Sequence, residues 1–168
     1  MIAKTTFVIG ANGVGKTTVM TEVQKLLLGG GFEVHDFDER GVPDNADKTW
    51  RINETQHWIS VGKENREKGV STIVFGFAKP EEIGKEVEII LLDANERTIE
   101  ERIKSRYLKE ESLQELTRTT GKTLERFIAD NIYVSSLLRK SCDALGCKTV
   151  STDGKAPENI ASEILSII

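Results

Sequence analysis

Short runs of β-branched and aromatic residues alternate with longer stretches in which apolar residues recur every three or four positions. Runs of the first kind cover residues 5–10, 33–38, 71–77, 86–93 and 147–151, each rich in Val, Ile, Phe or Thr and bounded by glycine or polar residues. They predict five strands. Between the first two, Val19, Val23, Leu26 and Leu27 recur at helical spacing, predicting a helix from about residue 15 to 28 that stops at Gly29-Gly30-Gly31. Residues 47–68 predict a polar helix, 96–108 a charged one and 122–140 an amphipathic one. A last helix over 157–168 starts at Pro157 and turns Ile160, Ile164, Leu165 and Ile168 inward. The polar stretch 109–121, between two helices, is the expected place for a mobile flap, so the lid-like segment runs from about 106 to 121. Strands alternating with helices predict an α/β fold in three layers, α/β/α, around a mainly parallel sheet.

At 168 residues the chain is long enough to bury a core unaided, and one domain over 1–168 is expected. The longest apolar run, 89–92, is far too short to cross a bilayer, and the first residues lack the sections of a signal peptide, so a cytoplasmic protein with no membrane partner is expected. Cys142 and Cys147 fit free thiols in that compartment, and with only His35 and His57 besides they build no recognisable metal site. A net charge of -4 offers no basic footprint for nucleic acid. Oligomeric state is not written in the sequence.

The chemistry begins where the first strand ends. Gly10-Ala11-Asn12-Gly13-Val14-Gly15-Lys16-Thr17 satisfies G-x-x-x-x-G-K-[ST], directly after a predicted strand and at the start of a predicted helix. A polyphosphate needs backbone N–H groups wrapped around it, and glycine lets the chain bend tightly enough to aim several inward. The helix N-terminus adds unpaired donors and the positive end of its dipole. Gly10, Asn12, Gly13, Val14, Gly15, Lys16, Thr17 and Thr18 are therefore the expected nucleotide-binding residues, with Lys16 on the β- and γ-phosphates and the Thr17 hydroxyl on Mg²⁺. The glycine spacing is not that of a dinucleotide-binding turn.

Beyond the loop, the order of elements over nearly the whole chain resembles the small P-loop kinases, the group that includes shikimate kinase, gluconate kinase and the nucleoside-monophosphate kinases. Besides the loop, three places carry the likeness: Asp36-Phe37-Asp38, Trp50-Arg51 with Glu54, and the stretch from Glu101 to Arg106. The resemblance implies a P-loop NTPase fold with strand order 2-3-1-4-5 and both reactants above the strands' carboxyl ends. It implies ATP and Mg²⁺ as cofactors and a small-molecule acceptor. Asp36 would hold the hydration shell of Mg²⁺, and Asp38 would accept a hydrogen bond from the acceptor hydroxyl and help take its proton. Arg51 would grip an anionic group of the acceptor with Glu54 holding the arginine in place, and Gly76 would lie beside the acceptor. Arg102 would stack on the adenine and Arg106 would touch the phosphates, one helical turn apart on a shared face. Arg118 and Arg126 are further candidates for a cation that arrives on closure, His57 and Trp58 are candidates for the acceptor pocket, and Thr152 to Pro157 resembles the loop that brackets the adenine.

The sequence also departs from these kinases. The third strand ends Val74-Phe75-Gly76-Phe77, with neither an acidic Walker B residue nor paired glycines, and there is no Arg-Pro lid motif. The expected activity is transfer of the γ-phosphoryl of ATP to a nucleoside monophosphate or a hydroxylated metabolite. The alternative is an ATP-binding regulatory module or an NTPase with no small-molecule acceptor. A GTPase is disfavoured by the absence of N-K-x-D.

Overall fold

A computed structural model describes residues 2–44 and 46–168. Five strands, β1 (Thr5–Ile9), β2 (Phe32–Asp36), β3 (Ser71–Gly76), β4 (Glu88–Asp93) and β5 (Lys148–Ser151), form one parallel sheet in the order β2-β3-β1-β4-β5. The order is the expected one. Among the described residues seven helices flank the sheet: α1 (Lys16–Leu26), α2 (Lys48–Glu67), α3 (Pro80–Ile83), α4 (Glu96–Arg106), α5 (Glu110–Thr120), α6 (Leu124–Leu145) and, after the last strand, α7 (Pro157–Ile167).

The two faces of the sheet are sorted by the strands' period of two. Val8, Ile73, Phe75, Ile90, Leu92 and Val150 point into a core closed by Val19 and Val23 of α1, Ile99 and Ile103 of α4 and Ile160 and Ile164 of α7. Phe7, Ile9, Val74 and Leu91 point the other way, against Trp58 of α2, Ile83 of α3 and Leu138 and Cys142 of α6. Because β1 is covered on both faces and both edges, all five of its residues are buried, and each large apolar side chain there contributes about 1.5–3 kcal/mol by leaving water. Gly62 lets α2 settle onto β1, since a Cβ there would lie 2.3 Å from the Thr5 hydroxyl.

Several boundaries differ from the sequence expectation. The second strand stops at Asp36 rather than 38, because the Asp36 carboxylate accepts the Asp38 N–H (2.9 Å) and its carbonyl accepts the Glu39 N–H (3.1 Å), which bends the chain out of the sheet. Strand β4 starts at Glu88 instead of 86, and α6 continues to Leu145, where Gly146 ends it in a left-handed conformation. Helix α3 was not expected; Pro80 presets its first turn and Glu81 and Glu82 sit at its positive end. The stretch expected as a polar flap is helix α5, which buries Leu116 and is stopped by Gly121.

Candidate functional site

The loop between β1 and α1 lies at the carboxyl end of the sheet's central strand. Gly13 (φ 90°) and Gly15 (φ 102°) hold left-handed backbone that other residues rarely adopt, and Gly15 leads into α1 with no side-chain cap. The first amides of α1 are therefore left facing the loop, with the dipole's positive end behind them. Lys16 donates from Nζ to the carbonyls of Gly10 and Ala11, both at 2.8 Å, so its ammonium sits over the loop.

Three elements hold the loop from outside. The Gly10 N–H donates to the Gly76 carbonyl of β3 (3.3 Å), and the Asn12 N–H donates to Asn131 Oδ1 of α6 (3.1 Å). On the other flank, Arg102 of α4 donates to the carbonyls of Val14 (2.8 Å) and Gly13 (3.4 Å) and to Thr152 Oγ1 (2.8 Å). Thr152, itself buried, donates to the Val14 carbonyl at 3.0 Å.

Two cavities flank the loop. One, of about 310 Å³, brings together Lys16, Thr17, Asp36, Asp38, Arg51 and Arg106, with Gly76, Phe77 and Asn131 completing the wall. The other, of about 260 Å³, lies between Thr18, Arg102, Arg106, Thr152, Lys155 and Pro157. Arg106 borders both. A smaller hollow of about 150 Å³ adjoins the first at Arg51 and Phe77 and carries Lys48 and Lys79.

The charges around the first cavity act on one another. Loss of hydration, and then the like charge of Arg106, lower the pKa of Lys16 to about 8, against the pull of Asp38 and Asp36. Partial burial pushes the Asp38 carboxyl up and the Asp36 and Glu54 charges add to it, while Arg51 and Lys16 oppose the shift. A carboxylate raised in this way is a better proton acceptor. The donor set suits Mg-ATP: uncapped helix amides and an ammonium for phosphate oxygens, and a hydroxyl and a carboxylate, Thr17 and Asp36, for a hard cation.

The structure gathers Lys16, Thr17, Asp36, Asp38, Arg51, Gly76 and Arg106 about one cavity, and Thr18 and Arg102 about the other. Some expected details differ. Glu54 does not hold Arg51: it is buried and takes Arg40 Nη1 at 3.2 Å, while Arg51 lies over the rings of Trp50 (5.5 Å) and Phe77 (5.2 Å). Trp58 is a core residue that donates to the Phe37 carbonyl (3.0 Å), and His57 packs against it at 5.1 Å; neither borders the cavities. Arg118 and Arg126 are exposed in local pairs with Glu115 and Asp130. Val14 turns its side chain into the core and presents only its backbone, and Asn12 already spends its N–H on Asn131. Gly76 is required by packing, since a Cβ would lie 2.2 Å from that of Phe37.

Sequence reasoning missed Asn131. Its signal was a polar residue on the apolar face of α6, in the series Ile128, Asn131, Ser135, Leu138, where a buried amide needs a specific partner.

A five-stranded parallel sheet of this order, flanked by helices and carrying this loop after its central strand, is the fold of the P-loop small-molecule kinases. The chain is similar over 98% of its length to shikimate kinase from Acinetobacter baumannii in complex with shikimate, with 92% of that chain covered, 16% identity and a TM-score of 0.62. It is also similar over 98% of its length to an unliganded sugar kinase from Janibacter sp. HTCC2649, with 93% of that chain covered, 19% identity and a TM-score of 0.61. No protein-family model matches the sequence, and no curated protein matches it. No helix among the described residues is long and apolar enough to cross a membrane.

Proposed function

We propose that the chain is an ATP- and Mg²⁺-dependent phosphotransferase that acts on a small-molecule acceptor bearing a hydroxyl and an anionic group. The observation that carries this reading is the meeting of Lys16, Asp38 and Arg51 around one cavity that opens from the phosphate loop. A nucleotide-binding module needs the loop alone; a carboxylate and a stacked guanidinium beyond it give an acceptor something to bind. The adjoining hollow carries Lys48, Arg51 and Lys79 against one carboxylate, Glu82, and that balance favours an acceptor with a carboxylate or phosphate. The shikimate and sugar kinases of similar fold act on molecules of hydroxylated character, which supports the same class of acceptor.

Mg-ATP, when bound, supplies the transferable phosphoryl group and a neutralising cation. The roles of this chain's residues are positional and electrostatic. Lys16 and the amides of Gly13 to Thr18 hold phosphate oxygens, and Thr17 and Asp36 would hold Mg²⁺. Asp38 accepts the hydrogen of the acceptor hydroxyl and takes its proton as the oxygen loses it. Arg51, fixed between Trp50 and Phe77, orients the acceptor's anionic group. Arg106, at the border of the two cavities, stabilises charge between the reactants. Arg102, already anchored to Thr152, lines the cavity for the adenine.

The test is ADP release by the purified chain with Mg-ATP and a panel of nucleoside monophosphates, sugars and hydroxylated carboxylic acids. The expected result is acceptor-dependent ADP formation that is lost in Lys16→Ala and in Asp38→Asn. ATP binding with no acceptor effect, and Asp38→Asn indistinguishable from wild type, would replace this reading with the acceptor-free module.

A further inference from the structure

Far along the chain from the loop, the end of α6 sets the only two cysteines side by side. Gly146 turns left-handed (φ 69°), its N–H donates to the Asp143 carbonyl (3.3 Å), and the Cys147 N–H donates to the Cys142 carbonyl (2.9 Å). This paired arrangement is the helix stop in which the side chains at the first and sixth positions lie against each other. Those positions are Cys142 and Cys147. Cys142 is fully buried among Phe7, Leu91 and Leu138, whereas Cys147 is only partly covered. Cys147 lines a cavity of about 680 Å³ whose wall includes Val87, Leu145, Lys85 and Glu81, with Lys148 paired to Glu88 at 2.7 Å. Burial, and then the neighbouring Cys147, push the Cys142 thiol up to about 12.

We propose that Cys142 and Cys147 form a thiol–disulfide exchange site, closed reversibly by a low-molecular-weight disulfide that enters through the cavity at the end of α6. Cys147 is the attacking sulfur because it alone is accessible, and oxidised glutathione is a suitable oxidant, its carboxylates and ammonium groups meeting a wall that carries Lys85 as well as Glu81. The Cys147 thiolate attacks one sulfur of the disulfide; a protein–glutathione S–S bond forms, the original S–S bond breaks and one glutathione leaves as thiolate. Cys142 then gives up its proton and attacks Cys147 Sγ, closing the internal bond and expelling the second glutathione. Two electrons pass from the protein to the oxidant, and two protons end on the two glutathione thiols. The second step is the slow one, because a thiol titrating this high is rarely ionised and must leave its apolar packing as the end of α6 frays.

The experiment treats the full chain with oxidised glutathione, stops the reaction with iodoacetamide and maps residues 141–148, which trypsin releases as one peptide holding both cysteines. The expected product is that peptide unalkylated and lighter by two hydrogens, in a chain still monomeric on a non-reducing gel. A glutathione adduct on Cys147 should precede it, and excess reduced glutathione should restore both thiols. Cys142→Ser should stop at the adduct; if that variant does not fold, the order of appearance in wild type gives the same answer. Two cysteines that stay alkylatable, an adduct that persists in wild type, or disulfides formed only between chains would each overturn the proposal. None of these outcomes depends on nucleotide binding.

Discussion

Burial strips water from the ammonium of Lys16 and Arg106 adds its like charge, so the lysine's pKa falls from 10.5 to about 8 against the pull of Asp38 and Asp36. A bound triphosphate adds negative charge and raises it again. Below pH 8 the free protein already carries this proton, so affinity for ATP should be flat there. Above pH 8 the proton must be taken up on binding, and affinity should fall by up to about tenfold per pH unit. Calorimetry at about pH 9 in buffers of different ionisation enthalpy should detect that uptake; an affinity that ignores pH across this range would contradict it. Folding responds with the opposite sign. The folded chain binds fewer protons at Lys16 than the unfolded one between pH 8 and 10.5, so its ligand-free stability gains from this group as pH rises through that window. Asn131 acts on the same loop without charge. Asn131→Ala removes the acceptor of the Asn12 N–H, at a cost of about 1 kcal/mol, and should raise the KM for ATP several-fold and more than the KM for the acceptor, whose cavity Asn131 also borders. Equal effects on both substrates would mean that the site as a whole had been disturbed.

Strand β1 carries two hydroxyls, Thr5 Oγ1 and Thr6 Oγ1, buried without a hydrogen-bond partner among the described residues. Thr6 has no exposed surface, so Thr6→Val keeps the shape and removes an unpaired polar atom; it should stabilise the chain by about 1 kcal/mol in chemical denaturation. A loss of stability would show that the hydroxyl is satisfied in solution. Helix α5 is at the other extreme, with Leu116 its one buried residue and its polar sides in solvent. Its amides should exchange with deuterium much faster than those of α6, which buries Ile128, Asn131, Ser135, Leu138 and Cys142. These contrasts also show what the sequence could reveal. Strands and the longer helices were legible because burial on both faces produces unbroken apolar runs and burial on one face produces helical spacing. The loop was legible because its chemistry demands fixed residue types at fixed separations. What escaped were choices made between distant segments. Arg51 and Glu54 have the spacing of a helical pair, but the carboxylate is taken by Arg40 from the turn after β2, fourteen positions away, and nothing local marks that preference. Over 109–121 the helical spacing of Leu113 and Leu116 is set in a polar composition that a solvated helix shares with a loop, so the helix was hidden by its composition rather than by its periodicity.

The phosphate loop belongs to no single element of the molecule. It follows β1, bonds β3 through Gly76, takes Asn131 from α6, and is gripped by Arg102 of α4 and by Thr152 just after β5, so both faces of the sheet converge on it. Anything that binds these amides stabilises an arrangement that exists only when the whole sheet is assembled, and its binding energy is added to global unfolding rather than to a local rearrangement. At a concentration 100 times its Kd, Mg-ATP should therefore add about 2.7 kcal/mol, which for a chain of this size raises Tm by roughly 5–10 °C in one cooperative transition. Lys16→Ala should abolish the shift while melting close to wild type without nucleotide, because the lysine's own contacts are two loop carbonyls that water can serve instead. Thr152→Val should behave differently. It strips a buried donor from the Val14 carbonyl and an acceptor from Arg102, so the melting point without nucleotide should drop as well as the ATP shift shrinking. Should Thr152→Val reduce the shift and leave that melting point untouched, the clamp would be part of the binding site only, and the loop would not be coupled to the fold as described.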